Sequence, residues 1–243
     1  MSITSKYIKN KRNRMLTTNI LFSGILKIIS LFTSLLIVPI TINYLNNEVY
    51  GIWMTISSML FWISTFDIGL GNGMRNYLTK AISEKDLTLG RKYISTTLSL
   101  LSLIAITIGF LLLIPLFTIN FNKFFNTFAI SNVDLRNALF VALAFTLLNF
   151  VTKNIGLIFV AMQKYAINDL LSVLGNLLSL AIIFILTKTT SPNLLYVIFT
   201  YTATQCFVYL FAAIPLFTKY KELRPSLNYF DRSLSRQIVG KGL

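Results

Sequence analysis

Residues 101–117 read LSLIAITIGFLLLIPLF, a run with no charge and no polar face. A helix in a soluble domain carries one apolar stripe and a polar back, so a segment apolar all round belongs in lipid or in the core of a far larger protein. Such blocks recur along the chain at lengths of about 20 residues or more, which is what a helix needs to cross roughly 30 Å of hydrocarbon. They predict spans at about 15–42, 49–74, 93–118, 137–162, 166–187 and 194–217. Transmembrane β-strands would alternate apolar and polar positions over about ten residues, a pattern these blocks do not show. The expected fold class is therefore all-α integral membrane, a six-transmembrane-helix bundle with short connections.

Charge sets the orientation. Only 12% of the 243 residues are charged, yet the net charge is +14. In a soluble protein that excess would point to nucleic acid, but here the basic residues sit just outside the apolar blocks, where they meet anionic lipid head groups. With the N-terminus in the cytoplasm, 17 of the 22 Lys and Arg residues fall inside, Lys123, Arg136 and Lys188 fall outside, and Lys27 and Lys153 lie within spans. The positive-inside rule selects this arrangement, with both termini cytoplasmic. Tyr44, Tyr50 and Trp53 at the first outer turn, and Tyr77, Tyr93 and Tyr220 at inner edges, match the aromatic belts of a bilayer protein. The chain divides into a basic N-terminus (1–14), a helical lobe (15–217) and a basic cytoplasmic segment (218–243). No loop is long enough to fold as a domain, which places function within the bilayer. With no His and a single Cys, Cys206, neither an internal disulfide nor a His/Cys metal cluster is expected, and no cofactor is called for.

Three spans carry polar stripes. On an ideal helix, Asn19, Ser23, Lys27, Ser30, Ser34 and Thr41 of the first fall within an arc of about 80°. The fourth has Thr146, Asn149, Lys153, Gly156 and Gln163, and the fifth has Asn168, Ser172, Gly175, Asn176 and Ser179. Small and amide residues in such stripes serve close packing and interhelical hydrogen bonds, or line a pathway. A lysine within the bilayer costs about 2.5–3.5 kcal/mol on insertion scales, so Lys27 and Lys153 should face the bundle interior or a watery cavity. Neither has a mid-span carboxylate, since Asp67 and Asp169 lie near inner helix ends. A cationic cavity suits an anionic ligand such as a phosphate or pyrophosphate group.

The segment FDIGLGNGMRN (66–76) closes the second span with Gly69, Gly71 and Gly73 before Arg75. It has neither the preceding strand nor the GK[ST] ending of a P-loop, so nucleotide binding is rejected. A closely packed helix end is the expectation, with Asp67 and Arg75 able to pair at the membrane surface. Pro39, Pro115 and Pro215 each sit near the end of a span.

The stretch NILFSGILKIISLFTSLLIVPITINYLNNEVYGIWMTI, taken with FDIGLGNGMRNYLTKAISEKD, resembles the polysaccharide exporters that flip lipid-linked O-antigen units, within the multidrug/oligosaccharidyl-lipid/polysaccharide exporter superfamily. The resemblance covers essentially the whole chain and is most specific at YLNNEVYG (44–51) and DIGLGNGMRN (67–76). It implies one lobe of an alternating-access transporter of about 12 to 14 helices around a central cationic cavity. The implied cargo is an undecaprenyl-pyrophosphate-linked oligosaccharide moved across the bacterial inner membrane, with proton or sodium coupling. Implied partners are membrane lipids, a second lobe and polysaccharide-assembly proteins. The chain departs from the pattern by stopping after six spans, and FDRSLSRQIVGKGL (230–243) looks like a linker entering a seventh helix. A fragment, a split half and a truncated inactive product all fit that ending.

On this reading Lys27, Lys153 and Arg75 attract the lipid pyrophosphate while Asn149, Asn176 and Gln163 meet sugar hydroxyls. Two alternatives stand beside it. A drug or cation exporter of the same superfamily predicts acidic cavity groups, against which the lysines argue. A membrane glycosyltransferase or polymerase needs catalytic groups on a sizeable loop, and this chain has no His and no acidic pair in such a loop.

Overall fold

The computed structural model describes residues 3–65, 67 and 69–242, with side chains described for residues 21–65, 67 and 69–238. The described residues are helical almost throughout, and no strand occurs among them. The helices are α1 (Ile3–Leu45), α2 (Asn47–Thr65), α3 (Leu70–Ser83), α4 (Leu87–Thr118), the single turn α5 (Phe121–Phe125), α6 (Asn132–Thr152), α7 (Asn154–Ala161), α8 (Tyr165–Thr189), α9 (Leu194–Lys219) and α10 (Arg232–Gly242).

Five stretches are long and apolar enough to cross a membrane: Leu21–Leu45, Leu87–Thr118, Asn132–Ala161, Tyr165–Thr189 and Leu194–Lys219. A sixth is completed if α2 and α3, which meet at 44°, form one bent span. The outward surface agrees, because Leu35 and Trp62 are each 70% exposed and Phe110 and Ile114 nearly so. A monomer in water does not display a girdle of that extent, whereas lipid requires one. The protein is a multi-pass membrane bundle.

Hydropathy placed the helix starts late, because it reads only the apolar part of each helix. The start of α4 is set by Asp86, whose carboxylate accepts the Leu89 N–H at 2.9 Å, and Arg91 and Lys92 lie in its first two turns. Ser131 caps α6 by accepting from the Asp134 N–H, and its own hydroxyl donates to the Asp134 carboxylate at 2.7 Å. Such caps satisfy N–H groups that have no partner within the helix.

In the bundle α1 packs on α8, α8 on α9, α9 on α6, α6 on α4 and α4 on α3, while α2 lies against α6. One apolar cluster fills the end where α1 turns into α2, with Tyr44, Trp53, Ile56, Leu135 and Ile198. Here the Tyr44 hydroxyl is bonded to Thr190 and to the Ser191 carbonyl, at 2.7 and 2.8 Å. Two further clusters, around Met74, Leu78 and Ile158 and around Leu101, Phe150 and Ile238, fill the opposite, basic end.

The basic segment that begins at residue 218 is strapped to α4 and then docks through α10. Arg91 donates to the Arg224 carbonyl at 2.7 Å and lies over the Tyr229 ring. Lys92 pairs with Asp231 at 3.3 Å, and the Asp231 and Ser226 N–H groups donate to the hydroxyls of Thr96 and Ser95. Helix α10 then packs on α3 and α4 through Leu234 and Ile238, close enough that any Cβ at Gly73 would collide with the Ile238 carbonyl.

Candidate functional site

Two of the predicted spans are broken, and the breaks meet. The second span stops at Thr65 and restarts at Leu70 after Gly69, whose φ of 71° lies in the left-handed region that glycine enters without a Cβ penalty. The fourth breaks at Lys153 without a proline. Asn154 sustains that break: its side-chain N–H₂ donates to the Phe150 carbonyl at 2.9 Å and the Val151 carbonyl at 3.3 Å, satisfying acceptors at the end of α6.

At the junction Lys153 Nζ donates to the Ser64 carbonyl at 3.2 Å, at the C-terminal end of α2. Asp67 sits at the opposite dipole, the start of α3, where its Oδ1 accepts the Gly71 N–H at 3.0 Å. Each charge therefore lies at the helix end whose macrodipole favours it. Gly71 packs directly on α7. A Cβ there would collide with Asn154 Oδ1 and lie 2.8 Å from Leu157 and 3.1 Å from Asp67 Oδ2. Fully buried Asn154 keeps its Oδ1 without a hydrogen-bond partner among the described residues, as does Asn149 one turn before Lys153.

At about 1.5 Å per residue, Lys153 lies about 31 Å along α6 from Asn132, and Lys27 lies about 27 Å along α1 from Leu45. The two lysines thus reach similar depths. Lys27 is exposed and has no hydrogen bond or ion pair among the described residues. Discontinuous helices whose ends converge, with charges and unsatisfied polar atoms between them, are how many transporters build an ion or substrate site.

Other predicted positions fall elsewhere. Arg75 donates to the Asn76 carboxamide at 3.3 and 3.4 Å. It does not pair with Asp67, since the ion pairs among the described residues are Lys80–Glu84 and Lys92–Asp231. The expected Asp67–Arg75 pair is corrected accordingly: the hinge turns Asp67 back onto the start of its own helix. Gln163 is exposed at a φ of 61° in the turn between α7 and α8, outside the helix. The stripe drawn to it by continuing an ideal helix through Lys153 therefore fails, because the helix neither continues there nor lasts that long.

The fifth span's stripe is a packing seam. Asn176 donates to the Ser30 hydroxyl at 3.1 Å and accepts from Gln205 at 2.8 Å, and Gln205 also donates to the Ser172 carbonyl. Ser179 donates to the Thr200 carbonyl. Glycines allow the close approach, Gly175 facing the Gln205 amide and Gly156 facing Asn168. The side chain of Asn19, counted in the first stripe, lies outside the described residues.

Sequence reasoning missed Asn154 and Gln205. The signal for Asn154 was present as a Lys-Asn pair inside an otherwise apolar span. At the basic end, the Lys164 ammonium donates to the Tyr220 hydroxyl at 2.8 Å, and that bond holds the phenol below its usual pKa.

No curated protein and no solved structure matches the chain significantly. A family model described as polysaccharide biosynthesis protein matches residues 16–243, and the chain belongs to that family.

Proposed function

We propose that this protein is a flippase that carries an undecaprenyl-pyrophosphate-linked oligosaccharide, an O-antigen or related repeat unit, across the bacterial inner membrane by alternating access. The described bundle serves as one lobe of the transporter, with both termini cytoplasmic. What supports this reading is the junction of broken helices, taken with the family. Lys153 is held there by a neutral backbone carbonyl and the Phe150 ring, with no carboxylate in ion-pair contact among the described residues, so its charge is open to an anion. Lys27, at similar depth and unpaired among the described residues, adds to the same field. Arg75 provides a further cation toward the basic end, and the unpartnered Asn149 Oδ1 accepts from a sugar hydroxyl. Asn176 and Gln163, with their amide or turn geometry given to the fold, support the lobe and do not line the path.

Deleting the gene in its host tests the reading. The expected result is lipid-linked repeat units accumulating in the cytoplasmic leaflet with loss of surface polysaccharide, both reversed by the wild-type gene. A change in glycan chain length with the leaflet distribution unaltered would instead indicate a polymerase and overturn the proposal.

A further inference from the structure

We propose that Asp67 and Asn154, whose Oδ2 and Oδ1 both approach the missing Cβ of Gly71, form a proton-binding site in which a protonated Asp67 carboxyl donates to Asn154 Oδ1. The inference rests on the flippase reading for its consequence but not for its geometry.

The orientation of the Asn154 amide is fixed by its surroundings. Its N–H₂ faces the carbonyls of Phe150 and Val151, so turning the amide over would set an acceptor against two acceptors. Oδ1 must therefore point toward Gly71, where it is fully buried and unpartnered. An acceptor so placed needs a donor, and a second polar atom, Asp67 Oδ2, approaches the same missing Cβ at 3.1 Å. The other carboxyl oxygen is already engaged by the Gly71 N–H. As a carboxylate, Asp67 would offer a second acceptor to the first; with one proton it becomes the missing donor.

A metal cation would fill the same gap on chemistry alone, but Lys153 argues against it. Its ammonium already occupies the carbonyl end of α2, and a second fixed positive charge beside it would be repelled. A proton neutralises Asp67 and adds no such charge. Among the charged groups on the elements packed around the hinge, Lys153 feels the field of Asp67. Arg75 is turned to Asn76, Lys92 of α4 is paired with Asp231, and Arg232 and Arg236 of α10 are exposed.

The consequence is a coupling. Protonation removes the carboxylate field from Lys153 and leaves the ammonium to an anionic ligand; loss of the proton restores the field and weakens that ligand's hold. By linkage, proton binding and anion binding at the junction then assist each other.

Infrared difference spectroscopy on the purified full chain in lipid bilayers, comparing acidic with alkaline buffer, reads the carboxyl directly and needs no substrate. On acidification the wild type should show, beside the bands of the chain's other carboxyl groups, a hydrogen-bonded carboxylic acid component that Asp67→Asn removes. Asn154→Leu should move the band to the frequency of a free acid. Lys153→Met, which removes the charge favouring the carboxylate, should make it persist to higher pH. The proposal is overturned if Asp67→Asn keeps the whole band, or if Lys153→Met leaves its pH dependence unmoved. Should Asn154→Leu not fold, the other two variants decide the matter. Because the spectrum is independent of cargo, a positive band with normal leaflet distribution in the deletion strain would refute the flippase and keep the site.

Discussion

The seam between α1, α8 and α9 and the junction between α2–α3 and α6–α7 look alike in the sequence, since each is a run of amides, hydroxyls and glycines inside apolar spans. They differ in how their hydrogen bonds are used. In the seam, Asn176 both donates and accepts, and Gln205 and Ser179 reach backbone carbonyls. At the junction, two carboxamide oxygens have no hydrogen-bond partner among the described residues, and Lys153 rests on a backbone carbonyl and the face of the Phe150 ring with no ion pair among them. Polarity inside a membrane helix is thus a mark of function where bonding capacity is left over, and a mark of packing where it is consumed.

That contrast is open to test. The largest expected effect is from Lys153→Met: a charge-assisted contact is worth about 1.5–3 kcal/mol, so export per folded molecule should fall about ten- to a hundredfold, measured as surface polysaccharide against membrane protein level. Asn176→Leu should show the reverse pattern, losing about 1–2 kcal/mol of stability in a thermal or denaturant melt while export per folded molecule holds. Two glycines sharpen the difference further. At Gly71 a methyl meets both the Asn154 amide, tied to its own helix, and Leu157, whereas at Gly175 it meets one group, the far end of the longer Gln205 side chain, which can shift at the cost of its bonds to Asn176 and Ser172. Gly71→Ala should therefore cost about 1–3 kcal/mol, and Gly175→Ala distinctly less.

The smallest effect lies outside both regions. The hydroxyl and N–H of Ser233, and then Lys92, hold the Asp231 carboxyl below its ordinary 3.8. A carboxyl depressed in the folded state adds stability above that ordinary value and loses it as pH falls through the lower, folded one. The strap over α4 should accordingly become more open to limited proteolysis only on strong acidification, and Asp231→Asn should remove that dependence.

The spans were legible because the bilayer demands long apolar helices and basic residues flanking them. The breaks were not, because Lys153 ends α6 without a proline and an ideal wheel runs straight through it. For the same reason Gln163 was placed on a helix face when it belongs to a turn, and Asn154, off that drawn stripe, was passed over. Lys27 and Lys153 stood out because a charge within an apolar span is costly wherever the helix turns. The docking of α10 was hidden for a different reason. It depends on Gly73 and Ile238, residues far apart in sequence whose contact no local pattern records.

The most direct test is the affinity of the purified chain in lipid nanodiscs for undecaprenyl pyrophosphate, with Lys153→Met and Asn176→Leu compared at equal folded fraction. The account predicts binding weakened about tenfold or more by Lys153→Met and left within about twofold of wild type by Asn176→Leu. Equal losses in the two variants, or a loss in Asn176→Leu alone, would contradict it.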